Sequence, residues 1–206
     1  QISRSHVDIA RRYHDASYLY SIKQMDSTAS QAVYREVLGK IETYYFAKLN
    51  WQQILKSGID QFEVALHDEL FRGHHGLTVN STDLQQYRDS VALILTNRVC
   101  RSGRDVLQSA ISVSQIAERT LKVSQQAVML ELLSGTIIAL DRYSSYLTST
   151  QLDDMFSQID GKFVGLGIEL RIQGSHLLVE RVIPKGPADD AGLKSGDKII
   201  EVDRNM

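Results

Sequence analysis

The residues from Ser195 to Lys198 have the types and spacing that serine–lysine acylases use for nucleophilic attack. In such enzymes a desolvated lysine takes the proton of the serine, which makes the hydroxyl oxygen nucleophilic. The S-x-x-K pattern serves this chemistry when the serine begins a helix and the lysine follows one turn later. Gly196 and Asp197 instead favour a turn, before a strand that we predict from Lys198 to Val202. We therefore predict no catalytic residue at this position.

Histidine and cysteine offer no stronger candidate for chemistry. His74 and His75 lie between two glycines, and two adjacent histidines do not usually both face one metal ion. We therefore predict a solvated loop and no metal site. Cys100 lies between Arg98 and Arg101, which could lower the pKa of its thiol. An inert cysteine in a helix is the simpler interpretation.

A glycine-rich segment gives the clearest indication of binding. Glycines at 165 and 167 let the backbone turn several N–H groups to one side, where they can bind a carboxylate. The strand that follows offers an open edge, to which an extended peptide can add as one more strand. The alternative is a glycine-rich strand start without function. The predicted peptide-binding residues are Gly165, Leu166, Gly167, Ile168, Glu169 and Leu170.

The composition limits the partners of the chain. Its 206 residues are 43% hydrophobic and 23% charged, with a formal net charge of −2. This balance provides no general positive field for a nucleic acid or an anionic membrane. No apolar run reaches the ~18–20 residues that span a bilayer. A single cysteine excludes an internal disulfide and a multi-cysteine zinc site. We expect no nucleic-acid partner, no membrane span in this chain and no cofactor.

Hydrophobic spacing predicts helices up to about residue 160. Apolar residues recur there every three or four positions, and both prolines lie further on. After Gly161 the pattern changes to short β-rich segments separated by turns. The expected fold class is mainly α, with a multi-helix N-terminal domain at 1–160 and a truncated β-rich domain at 161–206. The predicted helices are 1–30, 31–47, 51–71, 82–101, 104–122, 124–140 and a short one after Thr148; the predicted strands are 163–171, 176–183 and 198–202.

Three β-rich segments resemble, in their order and spacing, the first half of a bacterial PDZ domain. They are Val164 to Ile168, Val182 to Ala188 and Ala191 to Asp203. The resemblance implies that the glycine loop and the strand after it bind the C-terminus of a protein or peptide. It also implies that the helix forming the second wall of the groove follows Asp203.

The residues just upstream resemble the C-terminal processing peptidases, also called tail-specific proteases. Members commonly carry Leu-Asp-Pro-His-Ser-x-Tyr-Leu, then a short helix and the PDZ glycine loop. The segment Leu140-Asp-Arg-Tyr-Ser-Ser-Tyr-Leu147 matches this pattern, except that Arg142 and Tyr143 stand where proline and histidine are usual. The resemblance is strong over residues 130–203, with weaker support from 35–66.

The family resemblance implies a serine nucleophile and a lysine general base on an α/β core downstream of the PDZ domain. We expect this chain to be a fragment without that core, inactive by itself, from a serine–lysine C-terminal processing endopeptidase. The PDZ part would bind substrate C-termini and could gate the core. A bacterial periplasmic or cell-envelope location is also implied.

The alternative is a non-catalytic PDZ adaptor with a helical dimerisation domain, which would have no reason to carry the loop at 140–147. Residues 82–122 look like an insertion relative to compact members of the family. Their role, the substrate and the oligomeric state, including a homo-oligomer, cannot be read from the sequence.

Overall fold

The computed structural model describes residues 2–78, 80–159, 165–173 and 176–201. The chain divides into two compact units, residues 1–150 and 151–206. The domain boundary predicted near residue 160 stays a prediction. The predicted helix end at Gly161 lies outside the described residues.

The described part of the chain is mainly helical, with one small antiparallel sheet of strand order β1-β2-β3, which confirms the predicted fold class. The second unit holds most of α9, the sheet and a short helix between β2 and β3. The elements are α1 (Ile2–Tyr13), α2 (Ala16–Gln24), α3 (Ser27–Tyr44), α4 (Trp51–His67), α5 (Glu69–His75), α6 (Ser81–Asn97), α7 (Gly103–Leu121), α8 (Gln125–Leu140), α9 (Ser149–Ile159), β1 (Ile168–Gln173), β2 (His176–Val182), α10 (Pro187–Asp190) and β3 (Lys198–Ile199).

Short polar side chains divide the helical unit at positions that the hydrophobic spacing does not show. Asp15 has an extended backbone, and its side chain accepts hydrogen bonds from the N–H groups of Ser17 and Tyr18, so the opening segment is two helices. Asp68 does the same for Leu70 and Phe71. The single helix predicted at 51–71 is therefore wrong, because Asp68 ends α4 and caps α5. Such a cap contributes about 1 kcal/mol.

His74 and His75 belong to helix α5, which corrects the predicted loop. The helix ends at Gly76, whose φ of +60° is the left-handed conformation that favours glycine. His74 is exposed, whereas His75 is partly buried, with its ring 4.6 Å from that of Phe71. Within the described ranges, no three His, Cys, Asp or Glu side chains lie close enough to hold a metal ion.

Helix α8 is the centre of the first unit and packs against α3, α4 and α7. All ten residues from Ala127 to Thr136 are buried. Helix α7, part of the segment that looked like an insertion, packs against α3, α4 and α8 and so belongs to the same core.

The contact between α4 and α8 depends on two glycines. A Cβ at Gly58 would lie 2.8 Å from the carbonyl oxygen of Leu132, and one at Gly135 would lie 2.4 Å from that of Ser57. The Ser57 hydroxyl also donates to the carbonyl of Gly135 at 2.9 Å. These distances leave no room for a side chain, so the two backbones can approach only because both residues are glycine.

Glu131 places a carboxylate inside the apolar run of α8, where it pairs with Arg12 of α1. Both side chains are fully buried, and the two Nη atoms of Arg12 donate to the two Oε atoms of Glu131 at 2.7 and 2.8 Å. Nε of Arg12 donates to Asp8 at 3.0 Å, and Nη1 also donates to the Tyr18 hydroxyl at 2.7 Å. This bidentate arrangement satisfies a charge pair that would otherwise be costly to bury.

The network continues from Glu131 to α5. The Tyr13 hydroxyl donates to Oε1 of Glu131 at 3.3 Å, and its oxygen lies 3.0 Å from Nε2 of His75. Burial, together with the Glu131 carboxylate, raises the pKa of Tyr13. Burial and, to a smaller extent, the neighbouring His74 lower the pKa of His75 to about 4. The His75 imidazole is therefore neutral in the folded protein near neutral pH.

Cys100 follows α6 and is 6% exposed. Its N–H donates to Oε1 of Gln52 at 2.9 Å, and its sulfur lies 3.7 Å from the hydroxyl of Ser109. Burial raises the pKa of the thiol, so the nearby arginines do not activate it. The cysteine lies just outside a helix rather than within one.

Across the described part of the chain, no helix is both long and apolar enough to cross a membrane.

Replacing Gly135 with alanine should destabilise the first unit. The added Cβ would force α4 and α8 apart, and overpacking of this kind costs about 1–3 kcal/mol. The matched control is Gly39→Ala in α3, because no heavy atom lies within 4 Å of a Cβ there. The control should instead stabilise by up to about 1 kcal/mol through helix propensity. Urea unfolding followed by circular dichroism measures both, and equal effects would contradict the close contact.

The stability of the first unit should fall as the pH is lowered from 6.5 to about 4. Over this window the unfolded chain, in which His75 has its ordinary pKa of 6.5, binds a proton that the folded protein does not. Below about pH 4 both states are protonated and this contribution ends. His75→Gln should flatten that part of the profile, whereas His14→Gln, at an exposed histidine, should not. Urea midpoints at several pH values test this, and identical profiles for wild type and His75→Gln would refute it.

Candidate peptide-binding site

Strand β1 has one free edge among the described residues. It pairs antiparallel with β2 on one side, from Ile168 opposite Val182 to Gln173 opposite His176, and no described strand lies on the other. An extended peptide could pair with this edge by main-chain hydrogen bonds.

The register determines which groups face that edge. The N–H of Ile183 donates to the carbonyl of Gly167 at 2.7 Å. The N–H of Ile183 therefore faces β1, and because this direction alternates along a strand, Ile168 and Val182 form a pair without hydrogen bonds between them. In such a pair the N–H and C=O point away from the partner strand. Both polar groups of Ile168 consequently face the free edge.

Leu170 has the same orientation as Ile168, two residues earlier in β1, because the extra residue of the bulge, Glu180, lies on β2. The register shifts between Glu169 and Leu170, so Leu170 lies opposite Val179. Val179 uses its N–H toward β3, where it donates to the carbonyl of Asp197 at 2.8 Å. The Leu170–Val179 pair is therefore not hydrogen-bonded, and the N–H and C=O of Leu170 also face the free edge.

The glycine loop orients two adjacent amides where this edge begins. The carbonyl of Leu166 accepts from the N–H of Ala188 at 2.9 Å, and that of Gly167 accepts from Ile183. In a trans peptide the following N–H points opposite to the carbonyl. The N–H of Gly167 therefore points away from α10, and the N–H of Ile168 points away from β2. Two neighbouring donors with this orientation can receive a carboxylate.

The two glycines of the loop differ in what the fold requires of them. Gly167 has φ of +77°, a left-handed conformation that other residues adopt only with strain. At Gly165, the described surroundings place nothing within 4 Å of a Cβ, so they give no steric reason for glycine there. The predicted role of Gly165 stays a prediction.

Apolar side chains around this edge are uncovered by the described residues. Leu166 is 67% exposed and Ile172 is 79% exposed, with Leu170 also exposed. The buried hydrophobic residues of the sheet region are Val179 and Ala188. The edge thus offers main-chain groups and apolar surface, but the described residues form no closed pocket there. Glu169 lies 3.7 Å from Arg181 in an exposed ion pair, which contributes little.

Sequence reasoning missed the residues that support the loop from behind. Asp189 accepts a hydrogen bond from the N–H of Lys185 at 2.7 Å, and Lys185 itself has φ of +63°. This turn places Ala188 where it binds the Leu166 carbonyl. An aspartate that closes a turn before a short helix is a recognisable signal in the sequence, but its effect on a loop twenty residues earlier is not.

Ser195 and Lys198 do not form a catalytic pair. Ser195 lies in the turn before β3, and its hydroxyl donates to the carbonyl of Glu180 at 2.8 Å. Lys198 begins β3, and no hydrogen bond joins the two side chains in the described part. The helix that this chemistry would need is not present at these residues.

Comparisons with known proteins agree with this geometry. The model of the PDZ domain family matches residues 156–206. The chain is 35% identical over 71 residues to a carboxy-terminal-processing protease of Bartonella bacilliformis, which is 34% of this chain and 16% of that protein. It is 28% identical over 82 residues to the carboxy-terminal processing protease CtpB of Bacillus subtilis, which is 39% of this chain and 17% of that protein.

A third relative is a probable CtpA-like serine protease of Staphylococcus aureus, 34% identical over 62 residues, which is 30% of this chain and 12% of that protein. The matched segments thus span less than a fifth of each of these bacterial relatives. No solved structure matches the chain. The PDZ match and the relatives' shared description confirm, over the PDZ region, the resemblance to C-terminal processing peptidases that is seen in the sequence.

Proposed function

We propose that the second unit binds the free C-terminus of a protein substrate for a serine–lysine C-terminal processing endopeptidase. The observation that carries this proposal is the pair of adjacent amides at Gly167 and Ile168, which point away from α10 and from β2, respectively, where the free edge of β1 begins. A terminal carboxylate has the charge and the two acceptors to use both donors.

The remaining interactions set the kind of terminus that would bind. Main-chain hydrogen bonds to Ile168 and Leu170 are independent of the peptide's sequence. Exposed apolar side chains, such as Leu166 and Leu170, favour an apolar residue at or near the end. Each hydrogen bond to the charged carboxylate is worth roughly 1.5–3 kcal/mol. The substrate class is therefore a flexible chain with an apolar, unmodified C-terminus.

The role of this binding in proteolysis is inferred from the resemblance to C-terminal processing peptidases. The bound terminus would hold the substrate beside a protease core and could control access to it. A periplasmic or cell-envelope location fits a family whose matched relatives are bacterial. A non-catalytic adaptor receives no support, because the matched relatives are described as proteases.

Gly167→Ala should weaken peptide binding by about tenfold, since it disturbs the positive φ that orients the two amides. The matched control is Gly192→Ala, at a glycine of similar φ, +84°, in the turn after α10. Both variants carry the same backbone strain, but only the first alters the carboxylate donors. Titration of the full-length protein with a fluorescent apolar-ended peptide measures the difference.

An amidated peptide supplies the second control. Amidation should weaken wild-type binding by about tenfold and add little to Gly167→Ala, because both changes remove one interaction. Equal losses from the two glycine variants would mean that general destabilisation explains the effect. Unchanged binding by Gly167→Ala would place the peptide elsewhere.

Ser195→Ala should leave peptidase turnover of the full-length protein intact, because the Ser195 hydroxyl is engaged by the carbonyl of Glu180. Loss of a catalytic serine lowers kcat by about 10⁶-fold in a serine protease. Residues 1–206 alone should cleave no unstructured protein. Turnover that is lost on Ser195→Ala would overturn this exclusion.

A further inference from the structure

A cavity in the first unit carries an inference that is independent of the proposed function. It has a volume of about 180 Å³ and lies between α1, the last turns of α8 and residues 144–146. Val7, Ile137 and Ile138 form its apolar walls, and Arg4 and Arg11 reach it from α1. A single water needs only about 10–15 Å³ of such volume, so the cavity can take a group of several non-hydrogen atoms.

Arg4 brings a charge to the cavity that no described carboxylate neutralises. Its two Nη atoms donate to the main-chain carbonyls of Asp141 and Ser144, at 3.2 and 3.0 Å. Carbonyl groups fix the position of the guanidinium but leave its full positive charge. The Arg4 side chain is thus held in place, and its charge can interact with a ligand in the cavity.

Arg11 adds a donor without a partner. One of its Nη atoms donates to Asp8 at 2.7 Å and to the carbonyl of Tyr146 at 2.8 Å. Its Nε is buried and has no acceptor among the described residues. A buried N–H without an acceptor is costly, so the hydrogen bonds of this guanidinium to Asp8 and Tyr146 do not satisfy all of its donors.

Asp8, the one carboxylate among the described residues that line the cavity, is already shared. Asp8 accepts from Nε of Arg12 at 3.0 Å and from the hydroxyl of Ser134 at 2.5 Å, in addition to Arg11. The Arg12 charge is in turn balanced by Glu131. Two guanidinium groups, those of Arg4 and Arg11, therefore share the single charge of Asp8, and the cavity carries an excess of positive charge beside apolar walls.

We propose that this cavity binds a carboxylate carried by a short apolar group. Guanidinium groups match the planar carboxylate and its paired acceptors. The apolar part of the ligand would cover Ile137 and Ile138, which excludes water from the ion pair and strengthens it. A free short-chain acid and the last residue of a peptide present this same chemistry.

The test uses 3-methylbutanoate as the probe, with backbone NMR of the full chain as the readout. Saturable shifts are expected at the amides of Ser144, Ser145 and Tyr146, with a dissociation constant on the order of 1 mM. The neutral 3-methylbutanamide should bind at least about tenfold more weakly, because it lacks the charge. The absence of saturable shifts at ~10 mM, or equal binding of the amide, would overturn the proposal.

Two variants and a control localise the effect. Arg4→Gln removes the free charge, and Val7→Trp fills the mouth of the cavity without touching its hydrogen bonds; each should abolish the shifts. Arg35→Gln, at an exposed arginine of α3 without an ion pair among the described residues, should leave them unchanged. Shifts that persist in both cavity variants would refute the site.

N-acetyl-Ala-Ala-Val distinguishes the two sources of the carboxylate. If it produces the same shifts at residues 144–146 with higher affinity than the free acid, the occupant is a chain terminus; shifts from the free acid alone identify a small acid. Shifts confined to residues 166–168 for both probes would overturn the cavity site and would support the groove of the second unit. The failure of one proposal is thus distinguishable from the failure of the other.

Discussion

The buried ion pair between Arg12 and Glu131 is the constraint on which the arrangement of the first unit depends. The two residues are separated by 119 positions in the chain, yet their charges can be buried only when they meet with both hydrogen bonds made. Removing one partner of such a pair typically costs about 3–5 kcal/mol, because the other charge stays buried and unpaired. The opening helix therefore has one acceptable position along α8.

Other elements are arranged around this pair. Tyr18 of α2 shares Arg12, and Gln61 of α4 directs its amide toward Glu131 at 3.4 Å. Tyr13 links the same carboxylate to α5. The glycine contact between α4 and α8 brings the helices close enough for this network to form. The hydrogen bonds of the buried polar groups and the close approach of the α4 and α8 backbones together allow one alignment of the helices. Hydrophobic burial alone would allow several.

Hydrophobic spacing predicted most helices to within a few residues, because helices such as α4 and α7 each bury one face. It could not find the breaks at Asp15 and Asp68, since a capping aspartate acts through its side-chain hydrogen bonds and leaves the apolar pattern unchanged. It also passed over Glu131. A charged residue in an apolar run is ordinarily on a solvated face, and only the distant Arg12 makes this one a core residue.

In the peptide-binding segment, too, some features could be predicted from the sequence and others could not. The glycines and the strand after them were recognisable from residue types, and the positive φ of Gly167 gives one of them a physical reason. The direction of the amides depended on hydrogen bonds from Ile183 and Ala188, which lie in a different part of the sequence. Local chemistry therefore identified the segment, and tertiary pairing determined what it can present.

Because the chain's only cysteine is buried, the rate at which a reagent labels it reports local opening of the structure. Alkylating reagents attack the thiolate, and both the small exposed area and the raised pKa of Cys100 keep that form out of reach in the folded state. Alkylation of Cys100 can therefore occur only when the region between α6 and α7 opens. Because no second thiol competes for the reagent, the labelling rate measures the free energy of that opening at one known position, without an engineered probe.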